Sequence, residues 1–572
     1  MRMTLTVFGC LLTASVCSPV ASAADRPLNF ATRIEPILTK LSCNSGGCHG
    51  KIQGQNGFRL SLLGFDPEFD YATIVQESRG RRVFPAAPEQ SLLILKAAGQ
   101  VPHGGGRKLI PDSAEYHMLK RWIAEGMPFG SKSDPVVTKV TVEPPHLVMA
   151  PKSNRQLVVT AHFSDGSTED VTKLAQYESN ETEVATVTEG GLIQTLNATG
   201  QAGVMVRYSG MMTAFRAVVP RPGPAVATDF KPLTVVDQYT SKKWRELNIA
   251  PSPLASDEAF CRRAYLDVSG TLPTAAELKA FAADKDPEKK AKLIDKLIDS
   301  PGYVDYFSNK WADVLKVTRK GQPNRASGTF SFSNWIREAI ASDMPYDQFV
   351  TEILTATGDE ATSPATVWYR EIATAEQFAD DASQLFLGQR MACANCHHHP
   401  FEKWTQDDYW GLAAFYARVG RKQVPIIGSR DNNQQSQSLV LFTRTSGTVT
   451  TKRSNKPAIP KPLDAEPTPD SLDLRSDLAR WMTDPKNPFF AKTLANRYWA
   501  HFFGRGIVDP VDDMRVTNPL SKELLDALTA DFVAKKFSLK EIVRTIAKSR
   551  TYQLSSIPNE SNASDSHSPV TT

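Results

Sequence analysis

The chain has 572 residues, of which 41% are hydrophobic and 22% charged. This ordinary globular balance excludes bulk disorder and, at about 150 residues per domain, predicts a multidomain protein. With 66 Lys and Arg against 62 Asp and Glu, the net charge is +4, too small for a dedicated nucleic-acid binder or a polybasic membrane binder.

Arg2, the apolar stretch from Leu5 to Val16 and Ala21-Ser22-Ala23 form the n-region, h-region and cleavage site of a secretory signal over residues 1–23. Cys17 follows Val16, where a lipoprotein signal needs a small residue, so no lipid anchor is expected there. No other run approaches the ~18 apolar residues of a membrane span. The expected protein is exported, periplasmic or at the cell surface, with no transmembrane segment. Removing the signal leaves Cys43, Cys48, Cys261, Cys393 and Cys396. Four of these form two close pairs, each followed at once by histidine, a pattern of haem or metal chemistry more than of a disulfide framework.

Phe30, Ile34, Ile37, Leu38 and Leu41 fall at helical spacing and lead into Cys43. A second helix is predicted to be capped by Asp112 and Glu115 and to carry Tyr116, Leu119 and Ile123. Residues 24–130 therefore read as a small all-α domain. From 135 to 222 the period changes: Leu157, Val159, Ala161 and Phe163 alternate before the turn Ser164-Asp165-Gly166-Ser167, and short strands follow, predicting a β-sandwich. The Pro-rich segment Pro220 to Pro224 reads as a linker. Residues 231–419 are mainly helical, 420–469 form a weakly patterned loop or linker, 470–556 are helical again, and 557–572 read as a disordered tail. The two helical units are expected to form one large mainly α-helical body, with the loop as an insertion.

Cys393-Ala394-Asn395-Cys396-His397 is the C-x-x-C-H signature of c-type haem attachment. Two thiols would form thioethers and His397 would supply an axial nitrogen to iron. A disulfide, or a zinc site using His398 or His399, is the alternative. For the opposite face of that haem the best candidate is His501, although a buried, hydrogen-bonded histidine on an aromatic helix is the favoured reading of that residue. Cys43 to His49 places four residues between the cysteines, so haem at Cys43, Cys48 and His49 competes with a small-loop disulfide. The helix leading in and the helix closing the unit match a small cytochrome c. His103 is then the favoured distal ligand, with Met118 and Met127 behind it, against the reading of a loop histidine beside glycines. Cys261 reads as a buried free thiol. No nucleophile elbow, P-loop, Rossmann fingerprint or HExxH motif is present.

With these motifs placed, the chain resembles exported planctomycete proteins that join a planctomycete-type cytochrome c domain, a bacterial group 2 Ig-like domain and a pair of domains of unknown function. The resemblance is carried by Cys43 to Gly50, Asn56 to Ser61 and Pro102 to Gly106, and in the sandwich by Phe163 to Ser167 with Asp170-Val171-Thr172. It continues through Arg262 to Pro273, Cys393 to Pro400 and Trp404 to Trp410, then Asn496 to Trp499, His501 to Gly506 and Ser549 to Tyr552. It implies a haem-binding architecture carrying one or two haem c groups.

Two functions from different classes follow. One is an exported dihaem protein moving single electrons to a redox partner protein, coupled or not to oxidation of an extracytoplasmic substrate. The other is a non-redox surface or scaffold protein in which the Cys-His sets are structural metal or disulfide sites and the Ig-like domain contacts a cell-surface or extracellular polymer. A polysaccharide hydrolase finds no identifiable carboxylate pair.

Overall fold

The computed structural model describes residues 28–51, 53–225, 229–318, 326–425, 437–514 and 521–563. The signal segment expected over 1–23 lies outside the described residues.

The first unit is helical: a wide turn at Phe30–Ile34 and helices α1 (Glu35–Lys40), α2 (Pro67–Tyr71), α3 (Leu92–Ala97) and α4 (Ala114–Ala124). The apolar stripe of the first turn and α1 is buried against Ile94, Leu119, Trp122 and Ile123, with the Phe30 and Trp122 rings 5.5 Å apart. The cap of α4 sits one residue later than expected. Asp112 takes φ +62°, whereas Ser113 is extended and its hydroxyl accepts from Tyr116 N at 3.2 Å, the geometry an N-cap needs.

The sandwich contains β1 (Val137–Glu143), β2 (His146–Val148), β3 (Asn154–Gln156), β4 (Val158–Phe163), β5 (Thr168–Asp170), β6 (Gln176–Ser179), β7 (Ala185–Val187), β8 (Leu192–Thr195), β9 (Gly200–Tyr208) and β10 (Met211–Val219). These pair as β1-β4-β5, β2-β10-β9-β6 and β3-β8-β7, and every pair is antiparallel except β2 with β10. The alternation of β4 buries Val159, Ala161 and Phe163 in a core shared with Val204, Val206 and Phe215. Gly166, at φ +80°, lets the turn close with its N–H on the Phe163 carbonyl.

This sandwich holds the first unit rigidly. Arg33 and Glu169, 4% and 1% exposed, form a bidentate ion pair with Nη2 donating to Oε2 at 2.8 Å. Tyr208 donates its hydroxyl to the Thr32 carbonyl at 2.6 Å, and Gln176 donates to that of Thr39 at 2.6 Å.

The remainder is one helical body: α5 (Val235–Leu247), α6 (Asp257–Ser269), α7 (Ala275–Ala283), α8 (Lys289–Ile298), α9 (Pro301–Val314), α10 (Ala326–Ala341), α11 (Tyr346–Leu354), α12 (Ala375–Phe386), α13 (Gln406–Ala414), α14 (Leu474–Met482), α15 (Phe490–Phe503), α16 (Lys522–Ala534) and α17 (Leu539–Ala547). A single hydrophobic core runs from Val236 through Trp404, Trp410 and Trp499 to Leu554, so the two helical units are packed together rather than tethered. Polar signatures close the seam. Buried Asp237 accepts from Arg550 N, Thr551 N and the Thr551 hydroxyl at 2.7–2.9 Å. Arg263 donates to the carbonyls of Tyr552 and Leu554, while the Tyr552 hydroxyl donates to Asp267 at 2.7 Å.

Two expectations need correction, and the linker is held in place. Within the stretch read as a 420–469 loop, β12 (Val419–Pro425) pairs antiparallel with β13 (Gln437–Thr443), which also pairs with β11 (Gly358–Asp359), because Leu441 buries itself in the helical core. The Pro-rich linker is bound rather than free: Asn248 donates to the carbonyls of Arg221, Gly223 and Pro224. The start of the tail folds back, with Asn559 and Asn562 donating to the carbonyl of Ala250 and Asn562 also bonding Ser252; residues 564–572 lie outside the described residues.

Candidate functional site

Beyond α1 the chain turns sharply at Ser42, φ +58°, into a compact loop carrying Cys43, Cys48 and His49. Backbone bonds His49 N to Cys43 O and Gly50 N to Ser45 O close the loop, each at 3.0 Å. A Cβ at Gly50 would lie 1.9 Å from the Asn44 carbonyl oxygen, so only glycine fits. Fully buried Asn44 anchors the loop to α1, donating to Glu35 at 2.8 Å and to Thr39 at 2.7 Å. Leu60 N and Leu63 N bond the carbonyls of His49 and Asn44, which draws the Phe58 to Leu63 segment under it.

The loop forms one wall of a cavity of about 460 Å³, lined also by Leu38, Phe58, Leu60, Leu92, Leu93 and Ala97, and by His103 from the glycine-flanked loop opposite. That volume is in the range of cofactor pockets. His49 Nδ1 bonds the Phe58 carbonyl at 2.9 Å, and His103 Nδ1 bonds the Gly106 carbonyl at 2.7 Å. A carbonyl oxygen only accepts, so in each neutral ring the proton is on Nδ1 and the lone pair on Nε2. A bond of this kind, from the ring nitrogen that faces away from a metal to a backbone carbonyl, is what orients a metal-ligating histidine. Burial pushes the His49 pKa down, which favours that neutral form. A Cβ on Gly105 would meet the His103 ring at 3.1 Å.

The two imidazoles lie 6.3 Å apart between centroids, with planes 8° from parallel. Two imidazoles on opposite sides of one first-row metal ion, each about 2 Å from it through nitrogen, have centroids about 6 Å apart. In residue type and ring separation the site therefore suits a haem, with Cys43 and Cys48 on the same cavity wall as His49, His103 opposite and apolar side chains for a macrocycle. Both cysteines are free thiols, and desolvation raises the Cys43 pKa to about 12. Met118 and Met127, the reserve candidates, pack against the domain core.

The second set is built differently. Cys393 and Cys396 lie on a short turn over Ala392–Asn395 and are exposed free thiols. His397 Nδ1 bonds the His398 carbonyl at 2.6 Å. Asn395 donates to the Tyr409 hydroxyl at 2.8 Å, anchoring the turn to α13. His398 and His399 accept backbone N–H bonds from Gln406 and Phe401. Across the domain boundary, the ring of Phe65 lies 6.2 Å from that of His397 and 5.3 Å from that of His398, and Arg453 pairs with Asp66 at 3.2 Å. Phe65 lies two residues from Leu63, whose N–H bonds the Asn44 carbonyl, so the segment packed under the first Cys-His loop reaches the histidines of the second.

His501 is not brought to His397. Its Nε2 bonds the Asp267 carbonyl at 2.7 Å, and its ring packs on Tyr306, Phe307 and Phe502. Because the carbonyl only accepts, Nε2 is protonated and committed to α6. The favoured reading of a hydrogen-bonded histidine packed among aromatic rings holds, with the residue half-buried, and the axial-ligand expectation is corrected. Among the described residues, no group of three or more His, Cys, Asp or Glu converges as a metal ion's ligands would.

Sequence reasoning missed the lining cations Arg81, Arg82, Lys96 and Lys108. The basic run Arg79-Gly80-Arg81-Arg82 was the available signal. It also missed a buried carboxyl pair behind the loop, Glu35 with Asp70. Burial raises both, Asp70 to about 6.

Residues 136–207 match the bacterial Ig-like domain (group 2) family. Residues 235–421 match PSCyt2, described as a protein of unknown function (DUF1549), and 474–570 match PSD1, described likewise (DUF1553). The chain joins an Ig-like domain to the PSCyt2 and PSD1 pair. A comparison with curated proteins finds no match. The seam of Asp237, Arg263 and Asp267 with Arg550 to Tyr552 is thus the contact between the PSCyt2 and PSD1 domains, and Cys393 to His397 belong to PSCyt2. No helix among the described residues is long and apolar enough to cross a membrane.

Proposed function

We propose that the protein is an exported haem c protein that transfers single electrons, and that its first domain is a cytochrome c-like module. Cys43 and Cys48 attach the haem there, and His49 and His103 are its axial ligands. The observation that supports this reading is the pair of near-parallel imidazoles 6.3 Å apart, each with Nδ1 on a carbonyl. Haem iron, when bound, supplies a one-electron redox couple. His49 and His103 would both hold the iron, which would suit electron transfer rather than binding of a substrate at iron. Their Nδ1–H bonds raise the basicity of the ligating nitrogens, and Leu38, Phe58 and Leu60 keep water from one side of the cavity. A second haem belongs to Cys393, Cys396 and His397, whose surface position suits exchange with a redox partner protein. The Ig-like domain is assigned contact with a cell-surface or extracellular polymer.

The test is a pyridine haemochrome spectrum and haem stain on the full chain produced with a haem maturation system. Colour should stay on the denatured polypeptide. Cys43→Ala with Cys48→Ala should remove one haem mass, and His103→Ala should convert the low-spin spectrum of that haem to a high-spin one. A colourless protein containing zinc, or one with a Cys43–Cys48 disulfide, overturns the proposal.

A further inference from the structure

The lining of the first cavity contains four cations, Arg81, Arg82, Lys96 and Lys108, and no carboxylate. A pocket of that charge is built for an anionic ligand, since cations left facing one another in a partly buried space repel. Two of the four are already used by the fold. Arg82 donates to the carbonyls of Thr73 and Gly57 and lies over the Phe58 ring at 4.8 Å. Lys96 donates to the Pro102 carbonyl at 2.8 Å. The side chains of exposed Arg81 and half-buried Lys108 form no hydrogen bond or ion pair with any described residue, although each lines the cavity. One is a planar fork suited to a carboxylate and the other a point charge.

We propose that Arg81 and Lys108 are the anion-binding groups of this cavity and hold the two propionate carboxylates of the haem. The inference rests on the haem reading of the cavity and adds to it the residues that compensate the ligand's negative charge. That compensation sets the redox balance. With the carboxylates paired to cations, an added electron at the iron meets less negative charge, so the reduced form is favoured. Removing the cations disfavours it.

The experiment is a spectroelectrochemical titration of the full chain carrying Cys393→Ala and Cys396→Ala, so that only the first site is read. The expected result is that Arg81→Gln and Lys108→Gln each lower the midpoint potential. Together they should lower the reduced-to-oxidised ratio at fixed potential about tenfold, which is 59 mV for one electron. The haem mass and the low-spin spectrum should be unchanged. The charge-keeping pair Arg81→Lys with Lys108→Arg should restore the parent value. Lys120→Gln serves as a charge-loss control, since Lys120 pairs with Glu89 at 3.3 Å and lies outside the cavity lining. If the double Gln variant carries haem and titrates no lower than the Lys120→Gln control, the assignment of these cations is overturned while the haem reading stands. If the protein carrying only the Cys393→Ala and Cys396→Ala changes has no haem at the first site, both are overturned.

Discussion

The two Cys-His sets differ in opposite senses at the levels of sequence and structure. Cys393 to His397 has the stronger motif, yet its thiols lie exposed on a short turn. Cys43 to His49 departs from that motif by two inserted residues, yet it faces a cavity with a second histidine held across from the first. A local motif reports only the residues that one segment contributes. A cofactor site also needs an opposite ligand and walls, and here those come from Phe58, Leu92 and His103, which are remote from the cysteines in sequence.

The largest effect that would break this comparison is Gly50→Ala. With its Cβ 1.9 Å from a backbone oxygen, the substitution forces the loop to move, and a loss of about 4 kcal/mol or more is expected for the first domain. Thermal unfolding of the full chain should show that domain melting early, while the helical body keeps its transition. Unchanged melting of the first domain would mean that the loop is not tightly built.

Next comes Arg33→Ala, which leaves buried Glu169 without its bidentate partner. Loss of one partner of a buried pair costs about 3–5 kcal/mol. Limited proteolysis should then release the first domain from the sandwich, and the contact of Phe65 with His397 should be lost with it. If the first domain instead stays attached in Arg33→Ala, that ion pair is not what holds it to the sandwich.

Much of the scaffold was legible because it depends on local periodicity: Phe30 to Leu38 at helical spacing and Leu157 to Phe163 alternating. The strands Val419–Pro425 and Gln437–Thr443 were not, although Leu439 to Phe442 is a run of β-formers that deserved weight inside its polar surroundings. Likewise Arg550 and Thr551 entered only as part of a segment carrying the family resemblance, with no structural role read from them. Their role comes from Asp237, more than 300 positions earlier. At the site, the sequence singled out His49 and His103, and the fold brings their rings to 6.3 Å. The four lining cations were not legible, because convergence of Arg81 and Lys108 on one cavity is a property of the fold.

His501 sharpens the contrast between a histidine that faces a cavity and one that serves a core. Burial lowers its pKa from the ordinary 6.5 to about 4. The unfolded chain binds the proton first, so the stabilisation is fully present above pH 6.5 and is lost as pH falls toward 4, by about 3 kcal/mol at most. Denaturant titrations across that window should show the loss, and His501→Gln should flatten it while leaving the spectrum of any haem unchanged. A shifted Soret band in His501→Gln would instead mean that the residue reaches iron.

The smallest effect is the most discriminating for the exposed set. A disulfide staple removed from a small domain costs about 2–5 kcal/mol, and loss of a structural zinc site costs more. Exposed thiols cost little, within about 0.5 kcal/mol for a surface substitution, and the Cys396 sulfur has only exposed contacts, with Asn395 at 3.5 Å and Lys452 at 3.8 Å. In protein produced without haem, Cys393→Ala with Cys396→Ala should therefore leave the unfolding midpoint of the helical body unchanged. Cys43→Ala should lower that of the first domain, because Cys43 packs against its core. A drop of 2 kcal/mol or more in the first of these variants would make the PSCyt2 cysteines a structural staple, and the scaffold reading of the protein would then account for the strong motif better than electron transfer does.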